Sequence, residues 1–147
     1  VMSLTEPTRK MSKSDPEDTY IAMLDEPDVI RRKLKRAVTD SESCVRFDPE
    51  NKPGVSNLMG ILGTLTGMTV QEIEAEFEGK GYGAFKEAVA EAVVQELSPI
   101  QARYKQIVAD KAYLQEVMTD CAGRARAIAD KTMFKVRRKV VLASLKL

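Results

Sequence analysis

The sequence contains no histidine and no tryptophan, and it has only two cysteines among its 147 residues. Without an imidazole, the common zinc sites and any catalysis that needs a histidine base are excluded. Cys44 and Cys121 are far apart, and no secretory segment stands in front of them, so we expect free thiols in a reducing compartment. No apolar run approaches the roughly 20 residues of a membrane span, so we expect a cytoplasmic protein with no membrane partner.

The net charge of only +1 conceals two segments of opposite sign. Between residues 67 and 97 seven acids accompany two lysines, and between residues 123 and 147 eight bases accompany one acid. The local charges are therefore −5 and +7, a pattern that concerns binding partners more than fold. Two interpretations stay open: a basic helix that docks on the acidic segment of the same fold, or a surface that binds a polyanion.

Helical patterns dominate the chain after residue 25. Pro27 and Pro53 are each expected at the first position of a helix, where the missing N–H costs nothing. Residues 69–72 and 98–101 both have the capping-box pattern, and Asp110 is expected to cap a last, long helix. These signals predict an all-α fold, an antiparallel helical bundle of about five helices with short connections. The first of these helices is expected to carry a basic face, formed by Arg31, Arg32, Lys33, Lys35 and Arg36.

Several local predictions accompany this fold. Residues 1–19 are expected to form an exposed loop, and residues 20–24 have the length and composition of a short strand, although a buried helical turn also fits. Cys121 falls on the apolar stripe of the last helix and is expected to be buried. Asp40 and Glu42 are expected to be caps or solvated charges, since no histidine accompanies them as a metal ligand.

The most informative stretch is Lys10-Met11-Ser12-Lys13-Ser14-Asp15. It places two ammonium groups and two hydroxyls on one loop, and lysine is a mobile point charge for phosphate. The stretch contains no glycine, which excludes a phosphate cradle of the Walker type. An isolated basic loop of this size would ordinarily be only solvated surface, but here the whole string is uninterrupted.

That string resembles the KMSKS signature of class I aminoacyl-tRNA synthetases, and residues 7–16 as a whole resemble the tryptophanyl branch. Three later segments, residues 37–42, 52–58 and 79–83, are similar to stretches that follow in the same order in bacterial tryptophanyl-tRNA synthetases. The resemblance extends over essentially the whole chain and becomes loose only in the basic tail.

The resemblance also implies how the chain is organised. A complete synthetase carries a nucleotide-binding domain and a HIGH-type signature before this loop, and this sequence contains neither. We therefore expect a C-terminal part of the enzyme that is inactive by itself. Residues 1–24 would be the end of the catalytic domain with a left-over short strand, and residues 25–147 a helical domain on the anticodon side of the tRNA. The complete enzyme would be a homodimer.

The activity implied by the resemblance is that of a tryptophan–tRNA ligase. Tryptophan reacts with ATP to give tryptophanyl-adenylate and pyrophosphate, and is then transferred to its tRNA. Lys13 would contact the pyrophosphate moiety, with Lys10 in support. The residues expected to bind ATP are Val1 (through its main chain), Lys10, Met11, Ser12, Lys13 and Ser14. Mg²⁺ would be held through the ATP phosphates, without a protein ligand in this chain. The alternatives are a stand-alone RNA-binding helical module without catalysis, and a structural bundle that caps a larger enzyme.

Overall fold

The computed structural model describes residues 1–140 and places five α-helices in them. They are α1 (Pro27–Arg36), α2 (Pro53–Thr66), α3 (Val70–Glu76), α4 (Gly81–Ala109) and α5 (Lys111–Lys139). A 3-10 turn spans Glu17–Thr19, and within the described residues no strand forms beyond one isolated antiparallel bridge, between Met2 and Lys10. The predicted all-α fold class is confirmed.

The chain divides into two compact units, Val1–Ala102 and Arg103–Leu147. The first unit contains the hydrophobic core, in which Phe85 of α4 and Leu34 of α1 have no exposed surface. Other core side chains come from α2, α3 and the chain before α1, among them Val55, Leu58, Met59, Leu62, Ile73 and Leu4. In the described part of the second unit α5 buries no residue. The prediction that Cys121 is buried is therefore wrong, because within the described residues α5 buries none of its apolar stripe and Cys121 is exposed.

Four of the predicted helix starts are confirmed. Pro27 and Pro53 are the first residues of α1 and α2. Thr69 accepts a hydrogen bond from the Glu72 N–H, and the Glu72 carboxylate accepts one from the Thr69 N–H, which completes the capping box of α3. The Asp110 carboxylate accepts the Tyr113 N–H at 2.9 Å and caps α5.

The second predicted capping box, at residues 98–101, is wrong, because α4 runs through it without interruption. Ser98 donates its hydroxyl to the Val94 carbonyl one turn earlier, at 2.6 Å, instead of capping a new helix. Pro99 removes a single backbone bond from a helix of 29 residues. Gln101 is buried, and its amide donates to the carbonyls of Met23 and Asp25 at 3.0 and 2.9 Å. The glutamine of the pattern thus fixes a distant loop.

The short strand expected at residues 20–24 does not form, nor does a helical turn. Met23 and Leu24 are exposed, and the Ala22 N–H donates to the Asp25 carboxylate at 2.9 Å in a local turn. A strand needs a neighbouring strand to bond its N–H and C=O groups. Here the side-chain amide of Gln101 donates to the Met23 carbonyl instead. The expected exposure of residues 1–19 is also wrong in part, because Ser3 and Leu4 are buried.

Replacing each of two glycines of α2 with alanine is expected to change the free energy of unfolding in opposite directions. A Cβ on Gly54 would lie 2.1 Å from the Val38 carbonyl oxygen, whereas a Cβ on Gly60 would meet nothing within 4 Å. We expect Gly54→Ala to destabilise the fold by about 1–3 kcal/mol through overpacking. Gly60→Ala should stabilise it by about 0.5–1 kcal/mol, because alanine is the better helix former. Urea denaturation of the two variants checks this. A Gly54→Ala variant that is as stable as the native chain would contradict the close approach at Gly54, and a destabilised Gly60→Ala variant would contradict the open space at Gly60.

Candidate functional site

The base of the signature loop, defined here as residues 8–16, is paired with the first residues of the chain. Met2 and Lys10 form the antiparallel bridge, and the Ser3 N–H donates to the Arg9 carbonyl at 2.8 Å. The Met11 N–H donates to the Val1 carbonyl at 3.2 Å. The paired backbones hold Lys10 beside residues 1–3, and they also bring Val1 next to Met11, as the prediction of a common ATP site requires.

Residues 1–4 are themselves hydrogen-bonded to α2 and to the segments on either side of α1. Leu4 is buried, its N–H donates to the Thr19 carbonyl at 2.9 Å, and its carbonyl accepts from Val38 N–H at 2.8 Å. Met2 is held at both its backbone groups by the side chain of Asn57 in α2. The base of the signature loop therefore rests on groups that precede and follow α1 and on α2 itself.

The tip of the loop is exposed. The Asp15 N–H donates to the Ser12 carbonyl at 3.2 Å, and the Ser14 N–H to the Ser12 hydroxyl at 3.2 Å, so Ser12 closes a tight turn. Lys13 stands at this turn, and within residues 1–140 neither it nor Lys10 has an ion-pair partner. Two unpaired ammonium groups, Lys13 on the exposed turn and Lys10 at the base of the loop, can meet a polyphosphate without breaking an existing ion pair.

Two acids near the loop, Glu6 and Asp15, pair with Arg9 and not with these lysines. Its guanidinium lies 2.9 Å from the Glu6 carboxylate and 3.7 Å from that of Asp15. The hydrogen bond that Arg9 donates to the Glu6 carboxylate is the main cause that raises the pKa of Arg9. The contact between Asp15 and Arg9 joins the end of the signature loop to its start.

A buried ion pair ties the chain after the loop to α1. Lys33 and the Asp25 carboxylate are 2.6 Å apart, and both side chains are largely shielded from solvent. The Lys33 ammonium also lies 5.1 Å from the centre of the Tyr20 ring. Together with Gln101, this pair fixes the turn between the loop and α1.

A second cluster was not recognised as such in the sequence. Lys52, which is 6% exposed, lies 3.1 Å from Asp40 and 2.6 Å from Glu42, and the Tyr82 hydroxyl donates to Asp40 at 2.6 Å. Asp40 and Glu42 are thus partners of a buried lysine rather than merely solvated charges. These four residues lie in three segments that resemble the same family. Because Asp40 and Tyr82 are separated by 42 positions, only a folded chain reveals the contact.

The hydrogen bonds of this cluster decide its charges. Burial by itself raises the pKa of Asp40, but bonds from the Tyr82 hydroxyl, the Glu42 N–H and Lys52 outweigh it and lower the pKa to about 2. The bond to Glu42 is the main cause that raises the pKa of Lys52. Burial, and then Asp40, raises the pKa of Tyr82. At neutral pH Lys52 and Asp40 are therefore ionised and Tyr82 is neutral, so the cluster is a structural clamp between the start of α2 and the start of α4.

The basic face predicted for α1 is smaller than expected. Lys33 is buried in its pair with Asp25, and Arg31 donates to the Glu91 carboxylate at 2.6 Å. The hydrogen bond to Glu91 is the main cause that raises the pKa of Arg31. Arg32, Lys35 and Arg36 remain exposed, and within the described range they have no ion-pair partner.

Helix α5 carries a second basic surface, all of it exposed. Successive residues of a helix are rotated by about 100°, so cations spaced by seven, four and three positions share one face. Those cations are Arg124, Lys131, Lys135 and Arg138, which we call the α5 basic face. The Arg138 guanidinium lies 5.8 Å from the centre of the Phe134 ring. Lys146, which contributed to the predicted charge of +7, lies outside the described residues.

In residues 1–140 no group of three or more His, Cys, Asp or Glu side chains is placed to hold a metal ion. None of the helices in that range combines the length and apolar character that a membrane crossing requires.

Comparison with known proteins identifies the family. A model of the class I tRNA synthetases for tryptophan and tyrosine matches residues 1–98, two thirds of the chain and all of the signature loop. The chain belongs to this family. Within the class I synthetases it is similar to tryptophan–tRNA ligases, with 51% identity to that of Bacillus anthracis over 144 residues and 48% to that of Bacillus subtilis over 143. The predicted resemblance to the tryptophanyl branch is confirmed.

Solved structures of class I synthetases have the same fold. Tryptophanyl-tRNA synthetase from Mycoplasma pneumoniae superimposes with a TM-score of 0.74 at 31% identity and covers 98% of this chain. The enzyme from Campylobacter jejuni in complex with ADP and tryptophan superimposes with a TM-score of 0.76 at 25% identity and covers 95%. The chain spans 44% and 43% of these two proteins, and likewise 44% of the Bacillus anthracis ligase.

Proposed function

We propose that this chain supplies the ATP-closing loop and the tRNA-contacting helices of a tryptophan–tRNA ligase. The observation that carries the proposal is the uninterrupted signature Lys10–Ser14. Its base is held by backbone pairing, and within residues 1–140 its two ammonium groups have no ion-pair partner. The proposal divides the chain at residue 24, with the end of the catalytic domain before it and the helical domain after it. The complete enzyme would be a homodimer, as the resemblance implies.

In this proposal the loop acts on the first step of the reaction. A carboxylate oxygen of tryptophan forms a bond to the α-phosphorus of ATP, and the bond from that phosphorus to the β-phosphate oxygen breaks. The departing pyrophosphate gains negative charge as the bond breaks. Lys13 meets this charge, with Lys10 in support, and stabilises the transition state more than the ground state.

The remaining residues of the loop bind and orient. The Ser12 and Ser14 hydroxyls and the Met11 backbone complete the closed loop over ATP. The main chain of Val1, which already accepts the Met11 N–H, contacts adenine. Mg²⁺ accompanies the ATP phosphates, and the chemistry that it supplies when bound is neutralisation of phosphate charge. No residue of this chain is proposed as its ligand.

The test uses two forms of the protein. The first is a hybrid ligase, in which these 147 residues replace the matching segment of the Bacillus subtilis relative, which is 43% of that protein. We expect the hybrid to catalyse tryptophan-dependent exchange of pyrophosphate into ATP, and we expect the 147-residue chain alone to show none above background. A hybrid that melts like the relative but shows no exchange would contradict the proposal. Exchange by the chain alone would contradict the division of labour within it.

A second candidate function is an RNA-binding helical module without catalysis. The α5 basic face favours it, because four exposed cations along one face suit a phosphate backbone. This candidate predicts RNA binding by the chain alone and no exchange by a correctly folded hybrid ligase. Pyrophosphate exchange by the folded hybrid ligase therefore separates the two functions.

A further inference from the structure

We propose that Asn57 of α2 is a positioning residue for the signature loop, and that it acts on the loop lysines through the backbone of Met2. The inference rests on the proposed function for its catalytic consequence, but its structural part stands on hydrogen bonds alone. A residue of α2 would thereby determine the positions of Lys10 and Lys13 when ATP is bound.

The Asn57 side chain forms hydrogen bonds with both backbone groups of Met2. The Met2 N–H donates to Asn57 Oδ1 at 2.8 Å, and Asn57 Nδ2 donates to the Met2 carbonyl at 3.0 Å, although the two residues are 55 positions apart in the chain. The orientation of the amide is unambiguous, because the reverse one would set donor against donor and acceptor against acceptor. The side chain thus binds the edge of Met2 as a neighbouring strand would.

Backbone pairing connects Met2 directly to the signature loop. Met2 is the residue that bridges to Lys10, and the flanking bonds join Ser3 to Arg9 and Met11 to Val1. A shift of Met2 relative to α2 must therefore carry Lys10 with it or break this pairing. The tip at Lys13 begins two residues beyond Met11, so it moves with the same base.

Helix α2 is a suitable support because its position does not depend on Asn57. Val55, Leu58, Met59 and Leu62 hold α2 in the core, each at most 3% exposed. Asn57 lies outside that set and is only half-buried. Replacing its amide should leave the helix packed and release only the loop.

The first test measures the loop directly in the 147-residue chain. Asn57→Asp keeps the size of the side chain and the acceptor for the Met2 N–H, but loses the donor to the Met2 carbonyl. We expect the backbone amides of Ser3 and Met11 to exchange with deuterium about tenfold faster, as loss of a hydrogen bond implies. Amides in the middle of α2 should keep their native rates. The matched control is Asn51→Asp, because the side-chain amide of Asn51 donates to its near neighbour Asp48 and not, within residues 1–140, to the loop.

The outcome of this exchange experiment decides the structural part. Faster exchange confined to Ser3 and Met11 supports the proposal. Unchanged rates at both amides overturn it, because Met2 would then be held without Asn57. A uniform increase across α2 as well would also overturn it, since Asn57 would then stabilise the fold as a whole.

The second test measures catalysis in the hybrid ligase. We expect Asn57→Asp to lower the kcat of pyrophosphate exchange about tenfold and to leave the KM for tryptophan unchanged. The kcat is expressed per active site counted by burst titration, because a loss of folded enzyme would lower the apparent kcat without changing KM. Asn51→Asp should leave both constants unchanged. An active hybrid whose kcat is insensitive to Asn57→Asp overturns the positioning role. A folded hybrid that is inactive with Asn57 in place instead contradicts the proposed function, and the amide exchange still decides whether Asn57 holds the loop.

Discussion

Lys13→Ala in the hybrid ligase should slow adenylate formation about 10- to 200-fold and weaken the ground-state binding of ATP far less. A hydrogen bond to a charged group contributes about 1.5–3 kcal/mol, and about 1.4 kcal/mol corresponds to a tenfold change in rate. The effect should appear in the rate because the pyrophosphate charge develops as the bond to the α-phosphorus breaks. Within the described residues Lys13 has no ion-pair partner, so its removal leaves no buried acid behind.

Single-turnover kinetics with saturating tryptophan separates the two effects. The rate constant reports the transition state, and its dependence on ATP concentration reports the ground state. The control is Lys80→Ala, which removes an exposed lysine that pairs with Glu76 one turn earlier. We expect Lys80→Ala to leave both quantities unchanged. Equal losses of rate and of ATP affinity for Lys13→Ala would mean uniform binding and would contradict the transition-state role.

The features that local sequence predicts well are those that local chemistry decides. A proline at the first position of α1 or α2, the Thr69 capping box and the Asp110 cap involve only residues within a few positions. The signature loop is also a local string, and its resemblance to a family was sufficient to predict the branch to which the relatives belong.

The features that sequence did not predict depend on distant partners. The capping pattern at residues 98–101 is locally sound, but Gln101 is instead drawn into the bonds with residues 23 and 25, across 78 and 76 positions. Lys33 belonged to a basic face by periodicity, yet its pair with Asp25 buries it. Asp25 lies eight positions before Lys33, so the pair forms only because the chain turns between the two residues.

The positions of the site residues fall between these two cases. The string of residues 10–14 was visible, but its attachment to α2 through Asn57 was not, because an asparagine in a helix has many possible roles. The clamp of Lys52 with Asp40 and Tyr82 was hidden for the same reason. In both places a polar side chain far along the chain satisfies groups that would otherwise be buried without a partner.

Neutralising two lysines of the α5 basic face should weaken tRNA binding by the 147-residue chain about 25- to 60-fold at 0.1 M salt. Each phosphate contact releases a counterion fraction of about 0.7–0.9, which at that salt concentration is about five- to eightfold in affinity per contact. We therefore expect the double variant Lys131→Gln, Lys135→Gln to reduce the steepness of the log–log salt dependence by about 1.4–1.8. Filter binding of tryptophan tRNA over a series of salt concentrations measures both quantities.

The opposite face of the same helix provides the matched control. Arg126 and Arg137 are rotated by about half a turn from the α5 basic face, and the acid Asp130 lies between them on their side. The double variant Arg126→Gln, Arg137→Gln removes the same charge from the same helix, so long-range attraction changes equally while contacts on the basic face remain. We expect it to weaken binding much less and to leave the salt dependence nearly as steep. Equal losses for both double variants would mean that tRNA responds only to net charge, and no binding at low salt would leave the basic segment without a polyanion partner.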